Sequence, residues 1–360
     1  IVIFTNNHLY SYPCSKYISV YWNTGILLGS MVYIQVLTGM LLGLHYTPGI
    51  YYSYYSVMQV LREVYSGSLY RYTHSQVASP IYTGLLIHVS RGVFHGSHFY
   101  ISSVVWIGVV GVWGGLMAVG FMGYILPWGQ MSYWGATVIT NLLAGVPSLV
   151  PWILGGYHIY NSSINRYYIV HSILPVYVSG CLVFHVLYLH RVSSSGTSAW
   201  GSNNRIHLYI WLYYKDVLAL VAGLVAITVQ ISHGTIVLAH VDNTMEVSTL
   251  VTPLHIVPEW YFLEYYIILR SIPGVASGFL VMISYIYVYN IHGEPYNTSS
   301  LVECTGYTGK YSLVPLLSIQ VFYSLWEGVQ LPVGKYISYA RCTIGVHVTG
   351  TGRVYTCIEV

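Results

Sequence analysis

Two pairs of histidines with identical spacing constrain this chain more than any other feature. His74 and His88 occupy positions i and i+14 of one apolar stretch, and His171 and His185 occupy positions i and i+14 of another. In an α-helix this interval turns through about 1,400°, roughly 40° short of four full turns, so both imidazoles of a pair leave the same face. The rise of ~1.5 Å per residue separates them by roughly 21 Å along the axis. Two facing helices of this kind would offer an imidazole pair at each of two depths of a bilayer, as two six-coordinate haem irons require.

The composition indicates a membrane protein. The 360 residues include only 13 Lys and Arg and 10 Asp and Glu, whereas 55% are hydrophobic and the mean hydropathy is +0.59. Soluble domains usually carry about a quarter charged residues. The net charge of +3 is small and the chain has no basic run, which argues against nucleic-acid binding. We therefore expect lipid, cofactors and other subunits as partners.

The cysteines and the amino-terminal residues argue against three common features. The five cysteines are scattered, with no CxxC or CxxCH motif, so neither a disulfide framework nor covalent haem attachment is predicted. The haems are therefore expected to be of the b type. The first residues lack a charged region followed by a short apolar core, and no cleavable signal is predicted.

Apolar runs of about 20 residues predict an all-α membrane protein, a polytopic bundle of about eight transmembrane helices. The first four helices would form a di-haem four-helix bundle within residues 1–210, and residues 211–360 would add the carboxy-terminal helices. The last run contains Arg341, Arg353 and Glu359, which makes it a poor lipid-exposed helix. The predicted spans cover residues 26–44, 75–99, 104–126, 167–189, 217–231, 275–288, 312–325 and 336–360.

Two long amphipathic connections carry the next signal. We call residues 127–160 the first long loop and residues 234–271 the second long loop. Each follows an odd-numbered span, so both are predicted on the same side of the membrane. The string GYILPWGQMSYWGATVITN (123–141) begins at the end of the third span and runs into the first long loop. The second long loop contains PEWYF and ILRSIP.

These strings and the histidine pairs resemble the cytochrome b family, the di-haem core of ubiquinol:cytochrome c oxidoreductase, respiratory complex III. The resemblance runs from about residue 23 to residue 330. It implies that His74 and His171 hold a low-potential haem, and that His88 and His185 hold a high-potential haem nearer the matrix. Further strings occur in the family's order: WNTGILLG (22–29), LTG (37–39), RYTH (71–74), HVSRG (88–92), HSILP (171–175), FHVLYLH (184–190) and YKD (214–216).

Arginines and glycines near the histidines are candidates for contacts with the haems. Arg71 and Arg91 each lie three residues from a proposed ligand, where a guanidinium could pair with a haem propionate or instead reach the lipid headgroups. Gly25 and Gly39 share the i, i+14 interval of the histidines, and either admit a flat macrocycle or simply allow close helix packing.

The third span departs from the family at one glycine. The family has a second glycine pair at this spacing, of which only Gly123 matches. Val109 occupies the partner position, with Gly108 beside it. A slight shift of the helix or a different haem packing is expected there.

The PEWY string suggests a quinol-oxidising site. Glu259 is the best candidate for taking a proton from quinol, because its aromatic neighbours, Tyr261 among them, should desolvate the carboxylate and raise its pKa. The resemblance adds Tyr266 and Gly135 as pocket walls. A helix start made by proline and a dipole-complementing glutamate is the structural alternative. Glu264 stands where the family commonly has an apolar or aromatic residue. If it points inward it could add a proton acceptor, but we expect it to point outward to another subunit, without a catalytic role, because an unpaired buried carboxylate is costly.

A quinone-reducing site is expected on the opposite face. His190 lies five residues past His185 and so projects from another side of the helix. With Lys215 and Asp216, and with Ser194, it would bind the quinone carbonyls and relay protons. Lys215 and Asp216 could instead only begin a helix at the interface. The loop around Ser194 differs from the family's pattern, which puts this residue in doubt.

The resemblance implies a Q cycle across the mitochondrial inner membrane, with ubiquinol and ubiquinone as substrates. It implies a mobile Rieske iron-sulfur protein and a cytochrome c1-type subunit as partners, other complex III subunits and a homodimeric complex. A di-haem b subunit of another membrane quinone oxidoreductase would explain the histidines, although not PEWY and WGATVITN. A transporter would explain the hydropathy alone, and nothing positive suggests a purely structural subunit.

Overall fold

The computed structural model of the chain describes residues 2–95, 103–146, 148–192, 194, 196, 204–234, 238–288 and 307–356. A helix lies at each predicted span, including the doubtful eighth. The ends of the second and eighth predicted spans, residues 96–99 and 357–360, lie outside the described residues. The α-helices of six or more residues are α1 (Thr24–Gly43), α2 (Ser53–Arg62), α3 (Gly67–Phe94), α4 (Ser103–Ile125), α5 (Gln130–Asn141), α6 (Leu149–Leu154), α7 (Asn161–Val192), α8 (Trp211–His233), α9 (Leu263–Ser271), α10 (Val275–Val288), α11 (Tyr307–Val329) and α12 (Gly334–Thr356).

Helices α1, α3, α4 and α7 form the predicted bundle. Helix α3 packs along α1, where Val77 meets Met31 and Val32 in a buried apolar cluster. Helix α7 packs along α4, where Ile164 meets Ile125. Contacts between α1 and α7 join the two helix pairs. The two histidine-bearing helices, α3 and α7, therefore face the interior from different pairs.

Apolar side chains cover the outside of the protein. On α8, Val217, Val221 and Val225 are each more than half exposed, as expected where lipid rather than protein meets the helix. Among the described residues, three helices are long and apolar enough to cross a bilayer: Val20–Gly43, Asn161–Arg191 and Trp211–His233. Helix α3 has 28 residues and would reach ~42 Å, but its histidines, arginines and hydroxyl residues lower its hydropathy.

The two long loops lie on the same side of the bundle, as predicted. The backbone amide of Gln130 donates to the carbonyl of Met245 at 3.1 Å. Asn243 Oδ1 accepts a hydrogen bond from the backbone amide of Ser132 at 2.9 Å, while the hydroxyl of Ser132 donates its one hydrogen to the carbonyl of Tyr124 at 2.7 Å. Ser132 is fully buried, so these bonds satisfy polar groups that water cannot reach. The first long loop is thereby fixed to the second.

A short β-ribbon lies at the opposite end of the bundle, which the sequence did not predict. Strand β1 (Pro13–Ser15) pairs in antiparallel fashion with β2 (Arg205–His207), and Cys14 lies opposite Ile206. The ribbon ties the segment before α1 to the connection between α7 and α8. We call this end, with residues 2–23 and 204–210, the amino-terminal side, and the end with the two long loops the loop side.

Replacing Asn243 with alanine should loosen the docking of the two long loops. The variant removes the acceptor of the buried backbone amide of Ser132, and leaving this donor without a partner costs about 1–3 kcal/mol. Thermal unfolding of the purified complex in detergent should show a midpoint several degrees lower. Asn165→Ala is the matched control, because the hydrogen bond that its side chain makes to a described residue goes to the carbonyl of Asn161 in its own helix. Equal midpoints for the two variants would contradict this account of the docking.

Candidate functional site

The first histidine pair meets across the interior of the bundle. The ring centroids of His74 on α3 and His171 on α7 are 6.3 Å apart, and the ring planes are nearly perpendicular at 81°. A metal ion between two imidazole nitrogens, with bonds of ~2.0–2.1 Å such as zinc makes, would hold the ring centroids about 6.3 Å apart. The observed separation therefore fits one metal ion ligated from both sides.

Threonines on α1 determine which nitrogen of two histidines carries the proton. Thr38 Oγ1 donates its only hydrogen to the carbonyl of Ile34 at 2.7 Å and also lies 2.9 Å from Nδ1 of His74. The hydroxyl must therefore accept from Nδ1. Thr24 repeats the arrangement, because it donates to the carbonyl of Tyr21 at 2.8 Å and lies 2.9 Å from Nδ1 of His88. Both imidazoles are left with a lone pair on Nε2, the form that binds a metal.

The α7 histidines occupy matching places. Nδ1 of His171 lies 2.9 Å from the carbonyl oxygen of Val119 on α4, and since a carbonyl only accepts, Nε2 again keeps its lone pair. His185 is half-buried and close enough to His88 and Arg91 to interact electrostatically with both. The donor set thus has the chemistry of axial haem ligands.

Three glycines make room for the ligand rings. A Cβ at Gly39 would lie 3.0 Å from Cε1 of His74, and one at Gly25 would lie 3.6 Å from Cε1 of His88. At Gly123 an added Cβ would overlap the ring of His171, at 2.6 Å. The sequence suggested that these glycines admit a macrocycle. In the structure they let the imidazole of a proposed ligand lie against the backbone of the neighbouring helix. Val109 lies in a stretch whose side chains are outside the described residues.

The two arginines differ in their surroundings. The guanidinium of Arg91 lies over the ring of Trp22, 4.8 Å from its centroid, and its buried Nε has no hydrogen-bond partner in the described part of the chain. A buried guanidinium nitrogen of this kind calls for an acceptor, which a haem propionate would supply. Arg71 is half-buried and close enough to His74 for electrostatic interaction.

Thr24 and Thr38 are functional candidates that the sequence interpretation missed. They share the i, i+14 interval of the histidines, and each directly precedes one of the paired glycines. This shared interval was a signal in the sequence, because it places hydroxyls at the same two depths as the imidazoles.

The PEWY segment docks on α3 beside the bundle. Trp260 Nε1 donates to the hydroxyl of Ser79 at 2.6 Å, and the ring of Tyr261 stacks on Tyr82 at a centroid distance of 3.9 Å. Glu259 precedes the 3₁₀ turn Trp260–Phe262, but its side chain makes no capping hydrogen bond. The structural alternative, a glutamate that serves only as a helix start, is therefore weakened.

Burial sets the proton affinity of Glu259. Desolvation raises the pKa of this carboxyl to about 7, and interaction with the hydroxyl of Tyr124 acts in the opposite direction. A carboxyl with such a pKa exchanges protons readily near neutral pH. It suits the acceptance of a proton from a quinol.

The other two predicted wall residues lie on separate helices. Tyr266 on α9 lies beneath the guanidinium of Arg270, at 5.0 Å from the ring centroid. An added Cβ at Gly135 on α5 would meet no atom of the described residues within 4 Å, so among these residues this face of α5 borders open space. That space is compatible with a ligand pocket.

The prediction that Glu264 points outward is wrong. Its carboxylate accepts a hydrogen bond from the hydroxyl of Tyr285, which lies buried on α10. Burial raises the pKa of Glu264 to about 7, with the Tyr285 hydroxyl lowering it in part. The neighbouring Tyr265 accepts from Trp113 Nε1 at 3.0 Å. Exposure of Glu264 was expected because an isolated buried charge is costly. The carboxyl avoids this cost in two ways: it is hydrogen-bonded to the phenol of Tyr285, and its raised pKa lets it take up a proton near neutral pH.

The residues predicted to form a cluster with His190 have other hydrogen-bond partners in the structure. Nδ1 of His190 lies 3.1 Å from Nδ1 of His8, a residue that the sequence interpretation did not single out. Lys215 Nζ donates to the carbonyl of Ile18 at 2.6 Å, and Asp216 accepts from the side-chain amide of Asn23. These residues share the amino-terminal side but, among the described contacts, bond to the segment before α1 rather than to His190. Ser194 is half-buried in the connection after α7.

The helices, the outward apolar surface and the two tiers of imidazoles define a class, the polytopic membrane proteins that ligate a metal cofactor inside a four-helix bundle. The comparisons with known proteins narrow this class. A family model described as Cytochrome b/b6/petB matches residues 9–193, and one described as Cytochrome b(C-terminal)/b6/petD matches residues 246–347.

Relatives and a solved structure agree with these matches. Cytochrome b of Plasmodium chabaudi is 39% identical over 341 residues, which cover 94% of this chain and 90% of that protein. Cytochrome b of Toxoplasma gondii is 35% identical, covering 96% and 95%. A structure titled "Hyperthermophilic respiratory Complex III" has the same fold, with a TM-score of 0.89 at 20% identity over 99% of this chain and 95% of that one.

The chain belongs to the cytochrome b family, as its strings predicted. It is a multi-pass membrane protein of respiratory complex III, an oxidoreductase of several subunits. Membership of this family implies the binding of b-type haem and an interaction with quinone. The alternative, a subunit of another quinone oxidoreductase, is not favoured.

Replacing Glu264 with glutamine should change how stability depends on pH. The pKa of Glu264 is raised from 4.5 to about 7, so the folded protein binds this proton more tightly than the unfolded chain. The resulting stabilisation is fully present below 4.5 and is lost as pH rises through about 7. The glutamine side chain keeps a partner for Tyr285 and does not titrate. We therefore expect the unfolding midpoint of the variant to rise relative to that of the wild type as pH increases. Thermal unfolding between pH 5 and 8 measures this, with the exposed Glu246→Gln as control. A constant difference across that range would show that Glu264 does not titrate there.

Proposed function

We propose that this chain is the di-haem subunit of complex III that oxidises quinol on one side of the membrane and reduces quinone on the other. One observation carries the proposal. Three of the four histidines direct Nδ1 to an acceptor that holds it in the protonated form, and so present Nε2 as a lone-pair donor inside the bundle. Imidazoles in this form at two depths are what two stacked low-spin haems need.

His74 and His171 would hold the haem nearer the loop side, and His88 and His185 the haem nearer the amino-terminal side. Arg71 and Arg91 would pair with propionates, while Gly25, Gly39 and Gly123 let the rings sit close to the backbone. Bound haem supplies one-electron transfer between the two sides. The assignment of the lower potential to the His74/His171 site rests on the family resemblance.

Quinol oxidation is assigned to the loop side. Glu259 would accept a proton from quinol, in a pocket bordered by Tyr261, Tyr266 and Gly135. The support is geometric and electrostatic: the PEWY segment is fixed to α3 through Trp260, and burial holds the pKa of Glu259 near 7. A carboxyl poised there can take up a proton and pass it on.

Quinone reduction is assigned to the amino-terminal side. His190 would bind a quinone carbonyl, with Lys215 and Asp216 nearby as further polar groups and Ser194 at the edge. Proton release on one side and proton uptake on the other would couple electron transfer to proton translocation, which is a Q cycle with ubiquinol and ubiquinone as substrates.

The remaining electron carriers would be separate subunits. The sequence carries no CxxCH motif for a covalent haem, so a cytochrome c1-type subunit and a Rieske iron-sulfur protein are proposed as partners within a homodimeric complex. The mitochondrial inner membrane is proposed as the location on the family resemblance. The two family matches support the division into residues 1–210 and 211–360.

Replacing Gly39 with valine should remove one haem. The new Cβ lies 3.0 Å from the ring of His74, so a branched side chain displaces this ligand. Reduced-minus-oxidised spectra of the purified complex should lose about half of the b-haem absorbance, because one of two haems loses an axial ligand.

The matched control is Gly29→Val on the same helix. A Cβ at Gly29 meets no atom of the described part of the chain within 4 Å, so both haem signals should persist. Two intact b-haem signals in the Gly39 variant would contradict the proposed ligation. Loss of both signals in the Gly29 variant would mean that the helix, not the site, is sensitive.

Replacing Glu259 with glutamine should slow quinol oxidation and remove one step of its pH dependence. A base must be ionised to accept a proton, so wild-type turnover should rise as pH passes through about 7, the pKa of Glu259. The glutamine variant should lose about 10²-fold in turnover and lack this rise, with haem content unchanged. Quinol oxidation followed from pH 5.5 to 9 measures both. Unaltered turnover would refute the proton role of Glu259.

A further inference from the structure

The imidazole of His190 is held by two rings from the segment before α1. Tyr12 stacks on its face, with ring centroids 4.0 Å apart and planes 19° from parallel. At the ring edge, Nδ1 of His190 lies 3.1 Å from Nδ1 of His8. His8 is packed in turn by Phe4, at a centroid distance of 4.4 Å.

The two imidazoles meet edge to edge. Their ring centroids are 5.3 Å apart and their planes differ by 12°. The centroid distance exceeds the 3.1 Å between the Nδ1 atoms by close to two ring radii, so both nitrogens lie on the line that joins the centroids. That line therefore lies in both ring planes, and the rings are nearly coplanar. The Nδ1 lone pair of one ring points straight at Nδ1 of the other, which is good hydrogen-bond geometry.

Counting protons shows what this contact does. One proton lies between the two Nδ1 atoms, because a hydrogen bond there needs one donor and one acceptor. In the neutral pair a single further proton remains for the two Nε2 atoms. In the pair with one extra positive charge, both Nε2 atoms are protonated, whichever ring formally holds the shared proton. A charged pair therefore always presents Nε2–H of His190 as a donor.

We propose that His8 is a positioning residue of the quinone-reducing site, and that His8 and His190 act there as a proton-sharing pair. The proposal rests on the proposed function, which assigns His190 to the quinone. His8 holds the ring of His190 from its edge while Tyr12 holds its face. The pair takes one proton from water on the amino-terminal side and shares its charge across the Nδ1 contact.

The proton transfer balances without a further reactant. The N–H bond at Nε2 of His190 breaks as an O–H bond forms on the quinone oxygen, which is basic once the quinone has been reduced. The shared proton then moves onto Nδ1 of His190, and the pair is neutral. After the quinol leaves, a proton from water binds Nε2 of His190 and restores the charge. One of the two protons that each quinone needs is accounted for in this way.

Several other charged groups of this side have partners of their own. In the described part of the chain, His190 makes its hydrogen bond with His8 and its ring contacts with His8 and Tyr12. Among the titratable groups on the packed elements, Arg191 lies over Tyr188, Lys215 donates to the carbonyl of Ile18, Asp216 accepts from Asn23, and Nδ1 of His207 is 3.0 Å from the carbonyl of Ser11. Arg205 begins β2 and Lys16 directly follows β1.

Two substitutions separate positioning from proton sharing. In His8→Gln the amide still bonds to Nδ1 of His190 but does not share a positive charge. In His8→Phe the hydrogen bond is lost while packing against Phe4 is retained. Each is made in the complete complex with Glu259→Gln added, which slows the loop-side site. The measured quantity is the reoxidation of pre-reduced b haem by decyl-ubiquinone, at several quinone concentrations and from pH 5.5 to 9.

We expect the glutamine variant to keep its KM within about twofold. Its rate should fall with rising pH about one unit earlier than in the wild type, because a charge-assisted hydrogen bond exceeds a neutral one by about one pKa unit in proton affinity. At the upper end of the range kcat should therefore be about tenfold lower. The phenylalanine variant should show the same shift and also a raised KM, because the ring of His190 is no longer held at its edge. His207→Gln, the same substitution on the same side, should leave both quantities unchanged.

Each outcome decides a separate point. A pH profile for His8→Gln that superimposes on the wild type, with kcat within twofold, would overturn the proton-sharing pair. If His190→Gln slows the reaction while both His8 variants do not, the quinone site stands and His8 has no part in it. If His190→Gln has no effect, the assignment of this site fails and the pair fails with it. Haem spectra confirm assembly, and should the phenylalanine variant not assemble, the glutamine variant alone gives the decision.

Discussion

The rest of the structure depends on one constraint: inside a bundle surrounded by lipid, Nδ1 of each proposed ligand histidine needs a hydrogen-bond partner. A histidine surrounded by apolar helices has no water to bond, so the protein must supply a partner for the nitrogen that does not bind metal. The partners on α1 are hydroxyls whose own proton is committed to the helix backbone, and the partner on α4 is a carbonyl. The choice of acceptor sets the tautomer and leaves Nε2 as the metal donor. Glycine is needed beside these rings because the ring lies against the backbone of the next helix.

The i, i+14 spacing carries this constraint from one depth of the membrane to the other. Because this interval is close to four turns of helix, Thr24 and Thr38, with the glycines that follow them, repeat in step with His88 and His74. On the α1 side, the packing around His88 therefore repeats the packing around His74. The two long loops close one end of this bundle through Asn243, and the β-ribbon closes the other.

Much of this could be predicted because it depends on periodicity, and the rest could not because it depends on tertiary contact. The helices, the shared side of the long loops and the histidine pairs follow from intervals along the chain. The inward position of Glu264 depends on Tyr285, 21 residues away on another helix, and no local pattern announces that hydrogen bond. His8 meets His190 across 182 residues, and β1 meets β2 across a similar separation. The roles of the quinone-site residues stay predictions.

The partner at Nδ1 also explains why histidines in one helix can do different chemistry. On α7, Nδ1 of His171 faces a carbonyl, which can only accept, so its Nε2 stays a permanent base suited to a metal. Nδ1 of His190 faces another imidazole, which can accept or donate. Its Nε2 is therefore not held in one form, and the proton can come and go. A residue that must hold iron and one that must exchange protons thus need no difference in their own side chains. The difference lies in whether the second nitrogen meets a group with one hydrogen-bonding role or with two.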